Sequence, residues 1–435
     1  MKTTSINLNN NIFLSTTAIR KFWDLSEESI FLGSWCFTNG KQVLDKNKLV
    51  RFIESPYYKT NLDTIYNDLD VIYKKILPIL SQTLNNMHEE NYSDNFWNIL
   101  IGPWLRFYIH SMFDRFLFIK KALKDYPHLT TFLLDKKSYV TPLDTGEFQD
   151  LIAGDRYNLQ IYSRILRFYK KKFPEKKINI REKKVSKKFI KPLLKKELIK
   201  IYQNFLIKIP NVFQNKRIYC VDSYLPKLAE LKMMFASYGK ICFLSGQFYK
   251  VKSEYVKPNM NLREILSRLD FGDNEFSKCI SNLISTDIPM SFVENYKSIK
   301  RTAMKKFPKN SALIASTNAW YIYEEFKFWA AIESEKNSLL LGIQHGGADC
   351  GAYKNWIFRD LEVSIVDHYF SWGWRGDGYE KKIIPMPSNR LINHRKIHSS
   401  YNEIDILWVI TTSPRYLTFF PRNTSHFEKY LDFQL

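Results

Sequence analysis

The chain has 435 residues, 45% of them hydrophobic, which is enough for two or three domains with sizeable cores. Its net charge of +21 favours anionic partners such as nucleotides, phosphates or anionic lipid. Five scattered cysteines without a CxxC argue against a disulfide framework or zinc site, no stretch approaches 18 uninterrupted apolar residues, and the polar N-terminal 20 residues lack the apolar core of a signal peptide.

Residues 1–27 read as a polar lead-in. Residues 28–163 read as mostly helical, opening with a short strand over 29–33. Leu, Ile and Tyr at helical spacing predict a helix over 60–86. Trp97, Leu100, Trp104, Phe107, Tyr108 and Ile109 predict another over 93–125, with Trp104 in the core. Gly102-Pro103 predicts a break or kink in it. His88, followed by Glu89-Glu90, reads as an exposed helix end, and Asp114-Arg115 as a local ion pair.

Residues 164–214 form a basic helical or linker region. Within 164–208, 17 Lys or Arg stand against three Glu, a net of +14. Apolar residues are interleaved. The stretch is either a solvated helix face or a surface for lipid phosphates, and in the second case liposome binding falls with added salt.

Residues 215–390 change to strand–helix alternation. Strands are predicted over 218–221, 241–244, 312–315 and 338–343, with helices over 226–238 and 321–336. This pattern predicts a parallel, doubly wound, Rossmann-like sheet. The strands end in Ser245-Gly246-Gln247, in Ser316-Thr317-Asn318 and in Gln344-His345-Gly346-Gly347. In such sheets ligands bind outside the carboxyl ends of the strands. The two glycines let the backbone turn sharply and approach a ligand closely. His345 is therefore the candidate catalytic residue, with Gln344, Gly346, Gly347 and Ser316 as candidate binding residues.

A further strand runs over 367–374 into a turn carrying Trp372 and Trp374. Pro385-Met386-Pro387 reads as a crossing between domains. Residues 405–410 form a strongly apolar strand ending in Thr411-Thr412-Ser413-Pro414-Arg415. Residues 400–435 then read as the start of a second α/β domain that is incomplete, since such a domain needs roughly a hundred residues.

Six segments occur in order: Phe31-Leu32-Gly33-Ser34-Trp35-Cys36, Leu84-Asn85-Asn86-Met87-His88 with Trp97, Gly102-Pro103-Trp104-Leu105, the Gln344–Gly347 segment, Ser371-Trp372-Gly373-Trp374, and Ile410-Thr411-Thr412-Ser413-Pro414-Arg415-Tyr416. Together they resemble a family of transferases from O-antigen and surface-carbohydrate loci, related to two-domain GT-B-like glycosyltransferases. The resemblance spans residues 28–416. It implies an α/β fold with a helix-rich N-terminal part, a nucleotide-sugar donor, and a glycan or lipid-linked acceptor. Without a signal peptide or a membrane span in the sequence, the expected location is cytoplasmic, with peripheral contact to the inner membrane face. No cofactor and no metal is expected. His345 would act as base or hydrogen-bond a phosphate or sugar. The amides of Gly346 and Gly347 would face an anion, Arg415 would meet a phosphate, and Trp374 would stack on a sugar. Family members run on beyond the Pro-Arg-Tyr segment, so this chain alone is expected to bind donor weakly. The alternatives are a truncated inactive remnant or a basic nucleic-acid-binding protein. Nucleic acid is not expected as a partner, because no RNP, helix-turn-helix or zinc-finger pattern is present.

Overall fold

The computed structural model describes residues 12–24, 26, 28–36, 51–57, 60–178, 217–244, 255–346, 357–376, 381–391 and 415–420. β1 (Ile12–Ser15), β2 (Glu28–Phe31) and β3 (Arg51–Phe52) pair as a small parallel sheet. β1 corrects the reading of 1–27 as a polar lead-in: Ile12, Phe13 and Leu14 are buried. Three apolar residues between Asn11 and Ser15 barely alter a window average, yet they suffice for a strand.

α1 (Leu62–His88) starts at Asn61, whose side chain accepts from the Asp63 amide, and α2 (Asp94–Asp125) starts at Ser93, which accepts from the Phe96 amide. Most of α2 is buried on every side, so it is the central rod of a helical body. Of the break or kink expected at Gly102-Pro103, the break does not occur: α2 runs on through Pro103. Proline forfeits one backbone bond, and packing all round the rod outweighs it. Gly102 supplies room for that packing, since a Cβ there would lie 2.7 Å from the Tyr73 hydroxyl and from Asn98 Oδ1.

β4 (Leu133–Leu134), α3 (Thr145–Ile152), α4 (Asp155–Phe168) and β5 (Glu175–Lys176) follow. In the described part of the basic stretch three cations are used internally, while Lys170, Lys172 and Lys177 are exposed. Arg164 pairs with buried Asp287 at 2.6 Å, Arg167 bonds the Leu134 carbonyl and Glu175, and Lys176 sits 3.2 Å from the centre of the Phe132 ring. The remainder of that stretch, and the strand expected over 405–410, lie outside the described residues.

The main sheet contains β6 (Arg217–Val221), β7 (Ile241–Leu244), β8 (Ser311–Ser316), β9 (Leu339–Ile343), β10 (His368–Ser371) and β11 (Ile383–Pro385). Its order is β11-β10-β9-β8-β6-β7, and every pairing is parallel. The Rossmann-like parallel sheet expected over 215–390 is thus present. Pro385, the first residue of the expected crossing, closes β11 at the sheet edge, where a missing amide is tolerated. Strand alternation sends Tyr219, Val221, Ile314 and Leu340 to the large core shared with the helical body. It sends Cys220, Phe243, Ala315 and Leu341 to the opposite face, where Met234 of α5 (Lys227–Ala236) packs on them.

Three helices between β7 and β8 depart from the boundary drawn at 215. α6 (Met260–Ser267) packs on α7 (Glu275–Asp287), which packs on α2 and α4; α8 (Tyr296–Lys306) packs on the later helix α10 (Glu324–Ser334), which packs on α2. They complete the helical body, because only there do their apolar stripes find cover. One buried cluster therefore runs from Ile12 to Phe420.

His88 is also corrected. It is buried, stacked on Tyr296 at 3.9 Å, with Nε2 2.9 Å from the Phe292 carbonyl oxygen. Asp114-Arg115 is the expected ion pair, at 3.0 Å, and it is buried. Trp104 lies in the core as expected. Among the described residues no helix is long and apolar enough to cross a membrane.

His110 gives a pH prediction. Burial, reinforced by Arg106, lowers it to about 3, and its Nδ1 accepts from the Phe420 amide at 3.2 Å. A histidine depressed in the folded state stabilises above its unfolded value of roughly 6.5 and loses that contribution as pH falls. Between pH 6.5 and 5 the loss is about 2 kcal/mol. Urea titrations of the parent and of His110→Asn should differ by that slope; equal slopes would refute it.

Candidate active site

The carboxyl ends of the six strands meet where a doubly wound sheet binds its ligands. β6 and β8 are adjacent while β7 lies outside β6, so the strand order reverses between β6 and β8. A crevice is expected at this switch point. The two tips are tied together: the Thr317 hydroxyl donates to the Asp222 carbonyl, and Asn318 Nδ2 donates to the Tyr224 hydroxyl at 2.8 Å.

β9 brings His345 to the same edge. Its Nε2 lies 2.9 Å from Glu362 Oε1 and 3.1 Å from the Tyr321 hydroxyl. The ring packs edge-on between Tyr224 and Tyr321, with centroids 6.3 and 5.8 Å away. Tyr321 lies on α9 (Ala319–Ile322), the turn of helix after β8, and Glu362 ends α11 (Ile357–Glu362). The other oxygen of Glu362 accepts from the Tyr369 hydroxyl at 2.9 Å. Gly342 makes that bond possible, because a Cβ there would lie 2.5 Å from the Tyr369 ring. α11 is itself anchored to the helical body: Asp360 accepts from the Tyr66 hydroxyl and lies 3.6 Å from Arg106 Nη1.

Burial lowers His345 to about 4 and raises Glu362 well above the usual carboxylate range. The 2.9 Å contact has the geometry of an ion pair. We read it as a hydrogen bond between neutral partners, since burial disfavours a charge on either group. In that state the carboxyl donates to Nε2 and the ring carries its proton on Nδ1. When Glu362 loses its proton, Nε2–H donates to the carboxylate and Nδ1 becomes the basic nitrogen. The cluster can therefore present either a donor or a base.

Two pockets flank this group. One, of about 410 Å³, lies between the helical body and the β8 tip, and is lined by Phe107, Gln149, Asp150, Tyr321, Tyr323 and Phe419 among others. The second, of about 480 Å³, lies over the β6 tip, with Ser223, Tyr224, Lys227 and Arg390 beside Asp222 and Glu230. Asn318 lines the first pocket and holds Tyr224 of the second.

The other candidates from the sequence divide. Gln344 and Trp374 are brought together as a clasp: Gln344 Oε1 accepts from Trp374 Nε1 at 2.7 Å and from the Trp372 amide at 2.6 Å, while its Nε2 donates to the Gly346 carbonyl at 2.9 Å. Both side chains fix the turns that carry His345. Gly347 and Ser245 lie outside the described residues. Ser316 is fully buried, and its hydroxyl accepts from the Ala319 amide at the start of α9. Arg415 is held by the helical body, donating to Asp155 at 2.6 Å and to the Trp35 carbonyl at 2.7 Å. Its charge is met there by the Asp155 carboxylate. Trp35 is buried against Phe118 and Tyr416.

Sequence reading missed Glu362, Tyr321, Tyr224 and Arg390. A buried-acid signal was present only in the apolar surroundings of Glu362, within Leu361-Glu362-Val363. Asp68-Leu69-Asp70 is the single Asp-x-Asp of the chain, but it lies on α1, where Asp70 is engaged by Lys74 and Arg106. Among the described residues no group of His, Cys, Asp or Glu could hold a metal.

No curated protein and no solved structure matches the chain. The family described as LIC12162 family transferase does, over residues 12–435, which takes in the sheet, the helical body and the His345 cluster alike. With nearly its whole length covered, the chain belongs to the LIC12162 family of transferases.

Proposed function

We propose that the chain is a glycosyltransferase of GT-B-like type, moving a sugar from a nucleotide donor to a glycan or lipid-linked acceptor in surface polysaccharide (O-antigen) assembly. The observation that carries this is the His345 group between two pockets at the switch point of a parallel sheet. The aromatic pocket suits the apolar faces of an acceptor sugar, with Gln149 and Asp150 for its hydroxyls. In the second pocket Arg390 suits the donor's phosphates. In the transfer, Nδ1 of His345 takes the proton of the acceptor hydroxyl while that oxygen bonds the anomeric carbon. The bond from that carbon to the phosphate oxygen breaks, and the nucleotide leaves with the electron pair. Glu362 steadies the imidazolium that forms.

The test is a panel of nucleotide sugars with the purified chain, reading nucleotide release with and without glycan acceptors. Release from one donor, raised by an acceptor and suppressed by Tyr323→Ala in the aromatic pocket, is the expected result. Turnover of a non-glycosyl group donor, with every nucleotide sugar left intact, would replace this reading by another transfer.

A further inference from the structure

α5 covers the thin side of the main sheet, and it is built the wrong way round for a helix facing water. Its inward side carries Glu230 and Met234, which are buried. Its outward side carries Leu228, Leu231 and Phe235, spaced three and four residues apart on one stripe. These are 63%, 36% and 79% exposed, and Tyr238 just beyond the helix is 84% exposed. Surface helices normally put charge here, and a contiguous apolar stripe marks a contact surface.

The margin of the stripe is cationic. Lys227, Lys232 and Lys240 are exposed. The single acid between residues 224 and 240, Glu230, is turned inward and accepts from Ser223 at 2.6 Å and from Lys227 at 2.7 Å. Apolar anchors with a lysine rim and an aromatic beside them are what an interfacial helix presents to anionic lipid. The cores of protein–protein interfaces are, by contrast, depleted in lysine. We propose that the outer face of α5 lies on an anionic bilayer, with Leu228, Leu231 and Phe235 in the headgroup–acyl boundary and Lys232 and Lys240 on lipid phosphates. It stands independently of the reaction the chain catalyses.

The experiment is co-sedimentation of the full chain with phosphatidylcholine vesicles, with and without phosphatidylglycerol. The parent should bind the anionic vesicles and release with salt. Leu231→Ser/Phe235→Ser should weaken binding at least tenfold, and Lys232→Gln and Lys240→Gln by about fivefold each. All four side chains are exposed, so circular dichroism and melting should match the parent. Equal binding by parent and double variant would overturn the proposal, as would absent binding by the parent. Light scattering separates the other occupant: a parent dimer that the double variant breaks, with no vesicle binding, assigns the face to a second copy of the chain.

Discussion

Replacing Asp287 with alanine is expected to cost about 3–5 kcal/mol, the penalty for leaving a buried charge without its partner. Asp287 is fully buried at the end of α7 and accepts from three side chains: Arg164 at 2.6 Å, Tyr157 at 3.0 Å and Tyr108 at 3.1 Å. Arg164 also donates to the Leu283 carbonyl at 2.5 Å. Removing the carboxylate strands a guanidinium and two hydroxyls in the core of the helical body. Asp287→Asn keeps an acceptor and should cost less. Arg164→Met/Asp287→Leu, which removes both charges, should recover much of the loss. The reading is the urea midpoint. A double variant as unstable as Asp287→Ala would mean that packing, and not the lone charge, sets the cost.

The second large effect concerns turnover. His345→Ala should reduce the rate of the transfer by about 10²–10⁴-fold, the range for loss of a general base. Glu362→Gln should reduce it less, because an amide oxygen still accepts from Nε2–H but no longer offsets the charge that develops on the ring. The pH dependence separates this from mere damage. The base-competent form has Glu362 ionised, and burial raises that carboxyl above its ordinary range. The rate should therefore rise with pH as Glu362 loses its proton, at a higher pH than an exposed glutamate would give. In Glu362→Gln this limb should vanish. An unchanged limb, or His345→Ala at parental rate with a normal melt, would make the cluster structural.

The parallel sheet was legible because its strands are short apolar runs that stop at Gly, Ser, Thr or Asn, so both the strands and their tips announce themselves. His345 was legible for the same reason. Its partners were not. Glu362 follows it by 17 residues on a six-residue helix, and Tyr321 precedes it by 24 on a different tip, so only the fold sets them on one nitrogen. Where local rules failed, tertiary contacts had overruled them. A break at Pro103 was outvoted by packing around α2, and His88 was drawn inward by the Tyr296 ring.

The helical body is sewn from distant pieces of chain: α1 to α4, then α6 to α8, then residues 415–420. The last of these supplies the Phe420 amide to His110, the Thr418 carbonyl to Ser111 and the Leu417 carbonyl to Arg115. During synthesis α2 and α4 emerge long before these partners exist. At about 5–20 residues per second, the ribosome needs on the order of ten to fifty seconds to travel from Phe168 to Phe420. Through that interval the nascent chain displays the unsealed flank of a rod destined for burial. Such a product should engage hydrophobic-binding chaperones while still tethered, and fragments ending before residue 415 should be recovered in aggregates.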